Sequence, residues 1–147
     1  DINNRKGDAF NLNQKIYKRF YEFKDFQFVV LVTDGQKEMI EKLKESLSSG
    51  AGTDLIKWNF LQGSEDSIKE HFNSLNTTIG LNSKYSTPYV FIIDRKKNLR
   101  GRDDDEDIGY LFGYNAQSVA EINNKMEDDV KVILAEYRLA LKKYSLR

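Results

Sequence analysis

The apolar residues change their period along the chain, and the period names the elements. From about Leu12 to Phe23, Ile16, Tyr17, Phe20 and Phe23 recur at helical spacing, with Lys15, Lys18 and Arg19 opposite and Asn11 or Asn13 where a cap would stand. Asp1 to Ala9 is polar, and Lys6-Gly7-Asp8 reads as a turn. Phe26 to Val32 is an almost unbroken apolar run, which suits a strand buried on both faces of a parallel sheet. Thr33-Asp34-Gly35 ends it. A second helix is expected from about Lys37 to Leu47, with Met39, Ile40, Leu43 and Leu47 on one side and Ser48 to Gly52 as its exit loop.

Ile56 to Leu61 alternates with period two and predicts a short strand. Ser64 then caps a third helix whose Ile68, Phe72 and Leu75 face inward, and Asn76 to Thr87 is a polar loop. Pro88, the chain's single proline, leads into Tyr89 to Ile93, the clearest strand. Asp94 to Asn98 is a turn, and Leu99 to Arg102 begins a return strand that the acidic run Asp103 to Asp107 interrupts. Ile108 to Tyr114 fits a loop or a short strand. The longest helix runs from about Ser118 to Lys142, where Val119, Ile122, Met126, Val130, Ile133, Tyr137 and Leu141 step by threes and fours. Strands alternating with helices imply right-handed crossovers and a mixed, mostly parallel sheet flanked by helices, with an antiparallel edge from the last hairpin. Nothing repeats and no linker interrupts the pattern, so residues 1–147 read as a single domain.

Composition narrows the chemistry. The chain has 147 residues with no cysteine and one histidine, His71. Disulfides, thiolate nucleophiles and cysteine-based metal sites are therefore excluded, as is a multi-histidine centre. Lys+Arg and Asp+Glu balance at 23 each, which gives no electrostatic case for nucleic acid or an anionic membrane. No apolar run approaches the roughly 20 residues of a membrane-spanning helix. No signal peptide is present, and because the chain opens on Asp1 rather than Met, any targeting segment would lie outside these residues.

Candidate sites are few. Asp103, Asp105 and Asp107 could hold a divalent cation, but from Asp103 an EF-hand would need Gly at Ile108 and Glu at Tyr114, and the alternative is a solvated loop neutralised by Arg100 and Arg102. His71 reads as a surface residue beside Phe72. Met39 and Met126 read as core filling. The aromatics crowd at Tyr17 to Phe28 and again at Tyr110, Phe112 and Tyr114, and an exposed part of them would mark a protein interface.

Ser86-Thr87-Pro88-Tyr89-Val90-Phe91-Ile92-Ile93 resembles the segment of thioredoxin-like proteins in which a proline, usually cis, precedes a central strand. The basic turn and Leu99-Arg100-Gly101 that follow, together with Trp58-Asn59-Phe60-Leu61-Gln62-Gly63-Ser64, are similar to the Sco/SenC branch, whose members help assemble cytochrome oxidase. The resemblance covers about Gln27 to Arg102. It implies a strand ahead of the first helix, which is missing here or lies upstream, and a partner-contacting loop at Ser86, Thr87 and Pro88 with the N-terminal turn beside it. It also implies copper ligands, and this chain lacks both the cysteine pair and the histidine.

These features predict a redox-inactive thioredoxin-like binding module of the bacterial envelope, an accessory in cytochrome oxidase assembly. It would be no enzyme and would hold no cofactor or metal. It would bind a protein partner through Ser86, Thr87, Pro88, Tyr110, Phe112 and Tyr114, with no nucleic acid and no membrane contact of its own. Its expected place is the periplasm or cell envelope, anchored from upstream of Asp1 or secreted. The alternatives are a divalent-metal-dependent enzyme or metal-binding domain using Asp103 to Asp107, and a structural domain of a longer protein.

Overall fold

The computed structural model describes residues 2–145, and its N-terminal helix already departs from the expected pattern. It begins with a 3-10 turn (Ile2–Arg5), continues as α-helix (Lys6–Leu12), widens through a π-type turn (Asn13–Tyr17) and ends at Lys18–Phe20. The turn expected at Lys6-Gly7-Asp8 is helical because Ile2 and Ala9 extend the stripe of Leu12, Ile16 and Phe20 backwards, and all five are buried. Burying those side chains outweighs the roughly 1 kcal/mol cost of a helical glycine. Asn13 caps nothing and is itself buried in the core.

Strand β1 (Phe28–Thr33) pairs in parallel with β2 (Trp58–Gly63), from Phe28 opposite Trp58 to Thr33 opposite Gly63. A helix (Lys37–Ala51) joins them and ends on Gly52 with φ 68°, so the expected exit loop is mostly helix. Phe28, Val30 and Val32 face the core, whereas Val29 and Leu31 are 53% and 39% exposed. The strand is thus covered on one face only, which corrects the expectation from its continuous apolar run. The amides of Phe28 and Asp34 donate to the carbonyls of Lys57 and Gly63. Even-numbered residues therefore face β2, and the backbone groups of Val29, Leu31 and Thr33 point to an edge with no paired strand among the described residues.

A third helix (Glu65–Asn73) starts on Ser64, whose Oγ accepts from the Ser67 amide at 3.1 Å, as the sequence predicts. It buries Ile68 and sets Phe72 edge-on against Phe91. The segment 89–93 forms β3 (Tyr89–Val90) and β4 (Ile92–Ile93), separated only at Phe91. β4 pairs with β5 (Leu99–Arg100), and β3 pairs with β8 (Tyr114–Asn115), both antiparallel. The Asp94 amide donates to the Asn98 carbonyl and the Ala116 amide to the Pro88 carbonyl. Even-numbered residues thus face β5 and β8, which line up along one edge. Residues 101–113 loop out between them as a separate hairpin of β6 (Arg102–Asp105) and β7 (Gly109–Leu111).

The chain closes with a long helix capped by Ser118, running through Val119–Glu121, Ile122–Met126 and Glu127–Ser145. Ile122, Met126, Val130, Ile133 and Leu134 are buried. Leu141, expected to continue the stripe, lies outside the described side chains. The architecture is mixed α/β with small sheets and a long C-terminal helix. The pairing is not mostly parallel: among the described residues β1–β2 is the one parallel ladder and the other three are antiparallel. No strand precedes the N-terminal helix among the described residues.

The early aromatics build the core. Tyr17 is fully buried, with the rings of Tyr21, Phe26, Phe28 and Trp58 around it at 5.4–6.3 Å. They are packing residues rather than a surface patch.

Candidate binding surface

The loop before Pro88 is built around Asn82. Its Oδ1 accepts from the amides of Lys84 and Ser86, and its own amide donates to the Ser86 carbonyl. Tyr85 takes a left-handed conformation, φ 58°, to close this turn. Arg5, in the first turn of the N-terminal helix, donates from Nε to Ser86 Oγ at 2.8 Å and pairs with Asp8 at 3.3 Å. Burial pushes the Asp8 carboxyl above its ordinary value, and Arg5 opposes the shift. The loop and the N-terminal turn are therefore neighbours. Thr87 Oγ1 accepts from the Tyr89 amide, and Ser86, Thr87 and Pro88 are all half-buried. The Thr87–Pro88 bond is trans, since no described peptide bond is cis, so the cis proline implied by the resemblance is not present.

The late aromatics divide. Tyr114, expected at the surface, is fully buried and donates its hydroxyl to Asp129. Burial and that carboxylate push its pKa far upward, so it is a core residue and not a contact residue. Asp129 also takes two bonds from Arg102, at 2.7 and 3.2 Å. Tyr110 is 59% exposed and stacks on Phe112 with centroids 4.5 Å apart. Phe112 is held from beneath by Gly101, where a Cβ would lie 2.2 Å from the Leu111 carbonyl oxygen and 2.8 Å from Phe112. Ile108, at the hairpin turn, is 58% exposed.

The acidic run is not the irregular loop the sequence suggested. Asp105 is buried, accepts from the amides of Asp107 and Ile108, and pairs with Lys125 at 2.8 Å. Lys125 also reaches Asp107 at 2.8 Å, so its ammonium stands between the two carboxylates where a bound cation would have to sit. Lys125 and the two amides hold the Asp105 carboxyl below its ordinary value. Among the described residues no group of three or more acidic or histidine side chains is placed to hold a metal ion. Of the two arginines expected to neutralise the run, Arg102 reaches Asp105 at 3.7 Å, whereas Arg100 does not serve it. It pairs with Asp94 and, through two bonds, with Glu136.

At the C-terminal ends of β1 and β2 lies an open polar hollow of about 420 Å³, lined by Thr33, Asp34, Ser64, Glu65 and Asp66. His71 is exposed, Met126 is buried, and Met39 packs against the core. Sequence reasoning missed Arg5, Lys125 and Ile108. The i, i+4 pair Lys125 and Asp129 flanking the buried Met126 was the signal for a second, polar stripe on the last helix. No helix among the described residues is long and apolar enough to cross a membrane.

Compared with protein-family models, curated proteins and solved structures, the chain matches none.

Proposed function

We propose that the chain is a non-catalytic binding module with a thioredoxin-like plan, and that it binds a protein partner through the 101–113 hairpin. The observation that carries this reading is the Tyr110–Phe112 stack: Tyr110, at 59% exposure, and Ile108 of the same hairpin, at 58%, present large apolar side chains to solvent. The absence of cysteine rules out thiol–disulfide exchange. The order of helices and strands, and the nearness of Arg5 to Ser86, support the thioredoxin-like plan. Placement in the bacterial envelope, and an accessory part in cytochrome oxidase assembly, rest on the Sco/SenC resemblance of the Trp58 and Pro88 segments alone.

The test is affinity capture from an envelope fraction with the tagged protein and a Tyr110→Ser/Ile108→Ser variant. Oxidase subunits or their assembly factors held by the parent and lost by the variant are the expected result. The same proteins on both columns would remove the hairpin from the interface. An absence of oxidase components from both would remove the assembly role.

A further inference from the structure

We infer that β1 and the 89–93 segment are the two flanks of one sheet, and that a strand of the same polypeptide, N-terminal to Ile2, inserts between them, parallel to β1 and antiparallel to 89–93. Each flank is paired along one side only. Even-numbered residues of β1 bond β2, and those of 89–93 bond β5 and β8. The backbone groups of Leu31 and Phe91 point to the other side, where neither has a ladder partner among the described residues. The even-numbered side chains of both flanks, Val30 and Val32 with Val90 and Ile92, pack in the same core.

The flanks run in opposite directions and are tied at both ends. Asp25, just ahead of β1, pairs with Arg95, just past β4, at 3.6 Å. At the other end Ile2 donates its amide to Gln36, just past β1, and Arg5 bonds Ser86, just ahead of β3. A strand's direction and the face its side chain takes fix the side to which that residue's amide and carbonyl point. Opposed strands that send even side chains into one core therefore point their even edges in opposite directions. Those edges are taken by β2 and by β5 and β8, so the odd edges face each other, and no ladder joins them among the described residues. One inserted strand satisfies both. A parallel partner of β1 needs a crossover of a dozen or more residues, and the N-terminal helix from Ile2 to Phe20 supplies it. Ile2 and Arg5 stand where such a strand would deliver the chain, between the end of β1 and the start of β3. Val29 and Ile93, 53% and 51% exposed, lie at the tied Asp25–Arg95 end on the outer face, where an apolar neighbour would cover them. The inserted strand is therefore five or six residues long and apolar on both faces.

The inserted strand stands or falls separately from the hairpin's role as a partner surface. It is tested by hydrogen exchange and NMR on the polypeptide extended through the residues its gene encodes ahead of Asp1. There the amides of Leu31 and Phe91 should exchange about 100-fold or more slowly than in an unstructured chain, close to those of Val30 and Val32, whereas residues 1–147 alone keep the open edge and fast exchange. The preceding segment should also give cross-strand nuclear Overhauser contacts to both β1 and 89–93. Fast exchange at Leu31 and Phe91 in the extended polypeptide would overturn the inserted strand. So would contacts to one flank alone, protection that grows with protein concentration (the mark of a second copy on the edge), or a gene with fewer than about five codons between its start and Asp1.

Discussion

Trp58 and Asn13 meet in the middle of the core, the indole Nε1 donating to Asn13 Oδ1 at 3.2 Å while Asn13 Nδ2 reaches the Leu47 carbonyl. One buried amide therefore ties the N-terminal helix to β2 and to the end of the second helix. Asn13→Ala would leave the buried indole N–H without its partner, at a cost of about 1–3 kcal/mol. Trp58 is the only tryptophan, so urea unfolding followed by its fluorescence reads the loss directly. An unchanged midpoint would show that water replaces the amide.

Acid should destabilise the fold through named groups. Asp105 is held below its ordinary value of 3.8 first by Lys125, Asp94 below 3.8 first by the Asn98 amide, and Glu136 below 4.5 first by Arg100. A lowered folded value contributes stability above the unfolded value, and that contribution is lost as pH falls through the folded one. Asp8, raised by burial, works the other way and favours the fold when protonated. Melting temperature should hold between about pH 5 and 9 and fall below about pH 4. Asp105→Asn should shrink that acid-dependent fall. An acid limb of the same depth in the variant would assign it elsewhere.

Two glycines should differ in what they tolerate. A Cβ at Gly101 meets a backbone oxygen at 2.2 Å, whereas one at Gly113 meets the Ile79 Cδ1 at 2.6 Å and the Phe91 ring at 2.9 Å. Side chains can shift and backbone cannot. Gly101→Ala should therefore cost more than Gly113→Ala, with overpacking losses of about 1–3 kcal/mol as the scale. Differential scanning calorimetry of the two variants gives the order, and the reverse order would contradict the packing of Phe112 on Gly101.

The open edge of β1 predicts alternating amide protection. The amides of Val30 and Val32 face β2 and should exchange slowly, while those of Val29, Leu31 and Thr33 face no paired strand and should exchange quickly. Hydrogen exchange followed by NMR resolves each position. Equal protection along the strand would mean that something covers the edge in solution.

Periodicity carried much of the fold. The Ser64 cap, the β1, β2 and β4 segments and the stripe of the last helix all stand close to where spacing puts them, because those signals are local. The N-terminal helix was half hidden. Ile2 and Ala9 are too few to outvote Lys6-Gly7-Asp8 until the core they join is known. The division of the late aromatics was not legible either. Tyr110 and Tyr114 lie four residues apart in similar sequence, yet one projects from the hairpin and the other enters the core beneath Arg102 and Asp129.

The sequence by itself determined what chemistry is closed to this protein, because the absence of cysteine and the single histidine hold in any fold. It also determined the order of the helices and of β1, β2 and the 89–93 segment, with many of their inward faces. Tertiary structure alone decided that Lys125 would stand between Asp105 and Asp107, that β1 would have no paired strand along one edge among the described residues, and that Tyr114 would be buried against Asp129. Those outcomes depend on which strands pair and in what register, and register joins residues that no local pattern relates.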